Sequence, residues 1–488
     1  MAGLSALSNT ITRPEPPQDA PVLPRVELDG RLIAVSNRVA RPSGTTSPGG
    51  LAQALGEALK ARGGTWVGWS GQLVASREAV ELDLEMDDDV VYALLDLFDA
   101  DFQGYYEGYA NGVLWPIFHG RPDLSVHDAA DFEAYKAINR AFAEAVARMA
   151  GPEDTIWVHD YQLLMLGEML REAGVSTTIG LFLHIPFPYN DVFRTIPEAE
   201  EIARALVKFD TIGVQTTRDA RNLAECLAGM GEGTVHRRGK AFEAHVFGEH
   251  VRVVPLPIGI DVAGIQRLLR VPPSSDVVDF SRGLAGRRSL IGVDRLDYSK
   301  GLPQKLQAFH QFLTEDPSRA RDVVLTQIAP ISRGSVKAYE KTRREVEAIA
   351  GCIAGMFTSL TCSPLNFLTR PVERGTIAHL MARSDVALVT PIADGMNLVA
   401  KEYVAVQNPR NPGVLVLSEF AGAAEAMTDA LLVNPHDTDA LSEAIERALS
   451  MPLGERRDRH AALMDVVRDT DIARWSEACL AELSAVKA

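Results

Sequence analysis

The sequence predicts an α/β protein of two Rossmann-like domains, each built on a doubly wound parallel sheet. Three observations carry that reading. Short β-branched runs alternate with helix-length stretches from residue 31 onward, as in parallel strands joined by crossover helices. The chain has 488 residues, too many for one ordinary domain. Hydrophobic residues make up 46% and charged residues 23%, an ordinary balance for a globular chain.

The elements follow in order. Residues 1 to about 27 carry Pro14, Pro16, Pro17, Pro21 and Pro24 and read as a flexible tail. Strands are expected at Leu32–Ser36, Thr65–Gly68, Thr155–Val158, Thr178–Leu183, Thr211–Val214 and Val251–Val254. Four more are expected at Ser289–Val293, Val323–Gln327, Val386–Thr390 and Val414–Leu417. Helical periodicity marks Leu51–Arg62, Asp131–Met149, Pro303–Thr314, Ser335–Ala350 and Asp439–Leu449. These strands are too many for one compact sheet of this kind, so two are expected. Pro255–Asp261 has turn chemistry and precedes a polar, poorly periodic stretch to about residue 286. The linker is placed there, giving domains 28–262 and 263–471.

Lys plus Arg number 49 against 65 Asp plus Glu, a net charge of −16. That field disfavours nucleic acid and anionic membranes as partners. An anionic ligand must then be held by local basic groups. No apolar run approaches the roughly 20 residues of a membrane-spanning helix. Cys226, Cys352, Cys362 and Cys479 are scattered without a CxxC pair and read as reduced, buried thiols of a cytoplasmic protein. Neither a metal-ligand spacing nor a Gly-x-Ser-x-Gly elbow occurs, so no metal or cofactor is expected. The acidic run Asp83, Glu85, Asp87, Asp88, Asp89 reads as a solvated turn.

Ligands of open parallel sheets bind beyond the carboxyl ends of the strands. Here those ends run into ionisable residues: Asn37 and Arg38; His159 and Asp160; His184; Asp294, Arg295, Asp297 and Lys300; Arg333; Asp394, Asn397 and Glu402. Each alone has an ordinary explanation. Asp160 suits a helix cap, His184 a satisfied core histidine, and Arg295 and Lys300 surface pairs with Asp294 and Asp297. Their gathering at one end of the strand pattern favours a site there; if the two sheet edges face each other, that site is the cleft between the domains.

Two segments suit phosphate. Pro48-Gly49-Gly50 precedes a helix start, where free N–H groups and the dipole favour an anion. It matches neither GxGxxG nor GxxxxGK[ST], so neither a nicotinamide site nor a P-loop is indicated. The run Asp394-Gly395-Met396-Asn397-Leu398-Val399-Ala400-Lys401-Glu402 again puts glycine and amides at a helix start, between two carboxylates. Trp66, Trp69, Tyr105, Tyr106, Tyr109 and Trp115 offer apolar faces for a sugar ring, Tyr105-Tyr106 from a loop-like stretch.

Taken with their order, these residues resemble the trehalose-6-phosphate synthase family, glycosyltransferase family 20. The resemblance rests on Ser36-Asn37-Arg38, Trp66 to Gly71, Leu114-Trp115-Pro116, His159-Asp160-Tyr161 and Phe182 to Pro188. It continues through Arg295 to Gly301, Gln327 to Pro330, Ser332-Arg333-Gly334, Asp394 to Tyr403, Asn411 to Ser418 and Phe420 to Ala423, covering residues 31 to about 480. It implies a GT-B fold, two Rossmann-like domains facing a deep cleft, whose C-terminal helix, Ile472–Ala485 within residues 472–488, crosses back to the first domain. It implies retaining transfer of glucose from UDP-glucose or ADP-glucose to glucose 6-phosphate, giving α,α-trehalose 6-phosphate. By matching motif positions, Arg38, Tyr106, Trp115, Asp160 and Arg333 would hold glucose 6-phosphate. Gly49, Gly50, Arg295, Lys300, Val372, Asp394, Asn397 and the Leu398–Glu402 segment (Leu398, Val399, Ala400, Lys401, Glu402) would hold the donor. Asp160, His184, Arg295, Lys300 and Asp394 would surround the reacting centre. Val372 stands where some relatives carry an aromatic, which leaves the donor nucleotide open. A homo-oligomer is also expected. Another retaining GT-B transferase with a phosphorylated acceptor, or an inactive sugar-phosphate sensor, is the competing reading.

Overall fold

The computed structural model describes residues 30–40, 55, 56, 58–60, 62–77, 80–284, 286–331 and 337–486. Strands β1 (Leu32–Arg38), β2 (Gly64–Val74), β3 (Leu82–Asp87), β4 (Val90–Phe98), β5 (Thr155–His159), β6 (Thr178–Phe182), β7 (Thr211–Val214), β8 (Thr234–Arg238), β9 (Ala241–Val246) and β10 (Glu249–Pro255) form one sheet. Its order is β3-β4-β2-β1-β5-β6-β7-β10-β9-β8. From β4 to β10 the pairing is parallel. The second sheet holds β11 (Arg288–Val293), β12 (Val323–Ile328), β13 (Leu365–Leu368), β14 (Val386–Val389), β15 (Val414–Ser418) and β16 (Leu431–Val433). Its order, β13-β12-β11-β14-β15-β16, is parallel throughout. β5, β6, β7, β14 and β15 are buried at every residue, because helices cover both faces of a parallel sheet.

The ten expected strands all form, but the first sheet alone reaches ten because parallel β4 and antiparallel β3, β8 and β9 join the six expected there. The acidic run is therefore mostly strand: β3 pairs with β4, and only Asp88 and Asp89 turn, Asp88 at φ 51°. The stretch after Pro255–Asp261 is also ordered, as helices Val262–Leu268 and Ser275–Leu284. Asp261 caps the first by accepting from Gly264 N at 2.7 Å. Both are too short to show periodicity. Tyr105 and Tyr106 lie not in a loop but in the helical segment Gln103–Leu114. Gly108 lets it approach helix Ala129–Ala147, since a Cβ there would meet the Asp131 carboxylate at 2.3 Å. Cys226 and Cys479 are buried, but Cys352 is exposed and Cys362 half-buried, because they lie on the outer surface of the second sheet's layer.

The chain crosses between the sheets twice, at neighbouring points. Ile472 N donates to Ile260 O at 3.2 Å, and a Cβ on Gly259 would meet Thr470 O at 1.5 Å. Helix Ile472–Ser484 then packs on the first sheet. Trp475 lies 5.3 Å from Trp157 and 5.0 Å, edge-on, from Phe182. Leu483 fills the space beside Gly180.

Candidate active site

Both sheets reverse their strand order, at β1/β5 and at β11/β14. Ligands bind outside the carboxyl ends of strands at such switch points. The two points open on one cleft of about 540 Å³, lined from both sides. Register aligns Ser36 with His159 and His159 with Phe182, so the turns that follow emerge at one level.

On the first-domain side, Asp160 has φ 74°, an uncommon conformation for a residue with a side chain. Its carboxylate does not cap the following turn Tyr161–Leu163; it accepts from His184 N at 3.1 Å. The Asp160 N–H donates to Phe182 O at 2.8 Å, fixing the turn to β6. His184 lines the cleft, with Nε2 3.2 Å from His159 Nδ1. Burial pushes His184 down to about 3 and His159 well below its ordinary value, so both are neutral at pH 7.

On the second-domain side, Lys300 Nζ donates to Asp394 Oδ2 at 2.5 Å, and Asn397 Nδ2 donates to the same oxygen at 3.0 Å. Lys300 therefore does not pair with Asp297, whose carboxylate accepts from Ser299 N and Tyr339 Oη. Asp294 instead binds buried Lys305 at 2.5 Å. Arg295 is exposed in the cleft without an ion pair among the described residues. Asn397, at φ 70°, starts helix Leu398–Val406, and its side chain makes no cap to it. The Leu398 and Val399 amides are thus left toward the cleft, as an anion site requires, while Ala400 N donates to Asn397 O at 3.3 Å. Gly395 brings the domains together: a Cβ there would meet His184 O at 2.1 Å.

The expected acceptor residues form a linked group. The Arg38 guanidinium lies over Trp69 at 5.2 Å, Trp69 is 4.5 Å from Phe102, and Phe102 stacks on Tyr106 at 5.2 Å. Across the cleft, Arg295 lies over the Trp115 ring at 5.6 Å. Arginine over an aromatic face is held while its N–H groups stay available.

Of the expected residues, Asp160, His184, Arg295, Lys300, Val372, Asp394, Asn397, Leu398 and Val399 line this cleft. Trp115 lies beside it through Arg295; Arg38 and Tyr106 are joined to each other through Trp69 and Phe102 and do not line it. Gly49, Gly50 and Arg333 lie outside the described residues. Ala400 and Lys401 do not line it, because they fall on the far side of the helix's first turn, and Glu402 lies one turn beyond Leu398 on the same face, behind it. Lys401 donates instead to Ile258 O at 2.8 Å and Thr470 Oγ1 at 3.0 Å. Glu402 accepts from Arg374 Nη2 at 3.0 Å; burial raises its carboxyl above the usual range and Arg374 opposes this. Two residues of the site, Gln215 and His119, escape the sequence. Gln215 lines the cleft and accepts from Ile258 N at 3.0 Å. Buried His119 binds Trp115 O at 2.7 Å through Nδ1, and burial pushes it down to about 4. His159 stands behind His184. A polar residue at the end of a buried strand marked His159; the same signal was present at Gln215, which follows β7, but not at His119, which follows helix Trp115–Phe118.

Two Rossmann-like domains facing one cleft, with cationic groups and a helix start on one side and Trp115 meeting Arg295 from the other, have the architecture of a GT-B glycosyltransferase. The model of glycosyltransferase family 20 matches residues 31–485. The chain is 42% identical over 457 residues to a trehalose-6-phosphate synthase of Cronobacter sakazakii, covering 93% of this chain and 95% of the relative. It is 43% identical to one of Sinorhizobium fredii, with 93% and 98% covered. Among solved structures, an alpha,alpha-trehalose-phosphate synthase (UDP-forming) from Burkholderia xenovorans in complex with glucose-6-phosphate superposes with a TM-score of 0.88 at 40% identity, covering 93% of this chain and 100% of that one. An Escherichia coli structure bound with UDP-2-fluoro glucose gives 0.88 at 39% identity, with 93% and 99% covered. The chain belongs to glycosyltransferase family 20 and is a retaining glycosyltransferase. Among the described residues no helix is long and apolar enough to cross a membrane.

Proposed function

We propose that the chain transfers glucose, with retention, from UDP-glucose or ADP-glucose to glucose 6-phosphate, forming α,α-trehalose 6-phosphate and a nucleoside diphosphate. The observation that carries this reading is the meeting of Arg295, Lys300 and the start of helix Leu398–Val406 in one cleft, with Arg295 stacked on Trp115 from the opposite wall. The relatives' names, and the glucose 6-phosphate and UDP-sugar analogue in similar structures, support the same substrates.

In this reading the donor diphosphate rests on the helix-start amides, with Arg295 and Lys300 neutralising charge as it leaves. No resident metal or cofactor is needed for that task. Arg38 and Arg333 receive the acceptor phosphate. A double displacement would need a carboxylate free to attack the anomeric carbon. The cleft-lining carboxylates of Asp160, Asp294 and Asp394 are each held by hydrogen bonds to His184 N, Lys305 and Lys300. That favours front-face transfer, in which the acceptor's proton passes to the departing phosphate oxygen.

The test is nucleotide release from UDP-, ADP- and GDP-glucose, with and without glucose 6-phosphate. Acceptor-dependent release from UDP- or ADP-glucose is expected; its absence with every donor would sink the reading. Lys300→Gln should lower kcat on the order of 10²-fold, as removal of one charge-stabilising group does, with acceptor binding little changed. Unchanged turnover would remove Lys300 from the mechanism.

A further inference from the structure

The proton on His184 decides what that residue can bind. Its Nε2 is taken up by His159 Nδ1 at 3.2 Å, so Nδ1 is the ring nitrogen left for the cleft. His159 is fully buried at the end of β5, and its Nε2 has no hydrogen-bond partner. Trp475, on the helix that returns from the second domain, is buried too, and its Nε1–H also lacks a partner. Its ring centre lies 6.4 Å from that of His159 and 6.0 Å from that of His184.

Both imidazoles are neutral, so each carries one N–H and one bare nitrogen. Two arrangements then satisfy their contact. If His159 Nδ1–H donates, His159 Nε2 is a bare acceptor and His184 carries its proton on Nδ1. If His184 Nε2–H donates, His159 must carry its proton on Nε2. The second arrangement leaves two buried N–H groups, on His159 and Trp475, with no acceptor. The first leaves one donor and one acceptor on neighbouring rings, of complementary polarity. Orphaned buried N–H groups are rare, which decides for the first.

We propose that His159, with Trp475 behind it, is a positioning residue that fixes His184 in the Nδ1–H form. His184 then presents the cleft with a hydrogen-bond donor, suited to an oxygen of the bound sugar or of the departing diphosphate. The geometry stands by itself; the catalytic consequence rests on the transferase reading above.

Long-range proton–nitrogen NMR of the full chain labelled on histidine reads the tautomer, with His184→Gln assigning the signal. Wild type should show His184 protonated on Nδ1 and bare on Nε2. His159→Phe should mix or reverse that state and lower kcat about 10- to 100-fold, the range for losing a partner behind a functional histidine, with KM for glucose 6-phosphate little moved. His159→Asn puts an N–H back at the Nδ1 position and should restore both the tautomer and most of kcat. Finding His184 protonated on Nε2 in wild type, or unchanged in His159→Phe, overturns the proposal. If the phenylalanine variant does not fold, the wild-type and asparagine spectra decide it. A correct tautomer in a protein that releases no nucleotide would reject the transferase reading and leave the proton assignment standing.

Discussion

Lys401 is 2% exposed, and its hydrogen bonds go to a carbonyl and a hydroxyl, Ile258 O and Thr470 Oγ1. Burial pushes its ammonium down to about 7. An unfolded lysine titrates near 10.4. Between these values the unfolded chain binds more protons, so stability rises with pH from about 7 toward 10 and is lowest, for this group, below 7. Lys401→Met should remove that rise: the Tm difference, wild type minus variant, should grow across this window. Parallel Tm curves would refute it. The sequence showed Lys401 only as part of a phosphate-friendly segment; which way its side chain points depends on helical phase and on two distant crossings. Asp160 and Asn397 were legible as unusual residues at strand ends. Their positive φ values, which aim one carboxylate at His184 N and leave the helix amides uncapped, were not.

At the scale of elements, the turn from β14 into helix Leu398–Val406 is set against the turn after β6 by Gly395. Gly395→Ala would drive a Cβ into His184 O, so one turn must shift. A misplacement of that size can cost on the order of 10²-fold in rate. We expect kcat/KM to fall by that order while the circular dichroism spectrum stays unchanged; full activity would mean the two turns do not need this contact. Ten parallel strands were readable because burial on both faces leaves an unbroken β-branched run; parallel β4 and β13 were missed. β3 carries the period-2 alternation of a strand in Leu82, Leu84 and Met86, but its acids read as a solvated turn, and three-residue β16 falls below any pattern. Gln103–Leu114 was misread because glycines that serve close helix packing look like loop punctuation.

At the scale of the molecule, the last helix belongs structurally to the first sheet. Leu480 is wholly buried there beside Cys479 and Leu483. Leu480→Ala should cost about 2–5 kcal/mol. Four of the five tryptophans, Trp66, Trp69, Trp115 and Trp157, lie in the first sheet and its loops, and the fifth is Trp475, so intrinsic fluorescence follows this unit. The urea midpoint by fluorescence should drop in the variant; an unchanged midpoint would detach the helix from that unit. The alternating segments made two lobes legible, whereas the return of the chain came from family likeness, since periodicity does not say what a helix packs on. The adjacency of Gly259 and Thr470 carries one more consequence. A body tethered by two strands at a single spot can swing but has little freedom to slide or twist apart. Its pivot must run close to Ile258 and Ile260, so the sweep is smallest beneath Lys401 and greatest at the outer lip of the groove, where substrates enter.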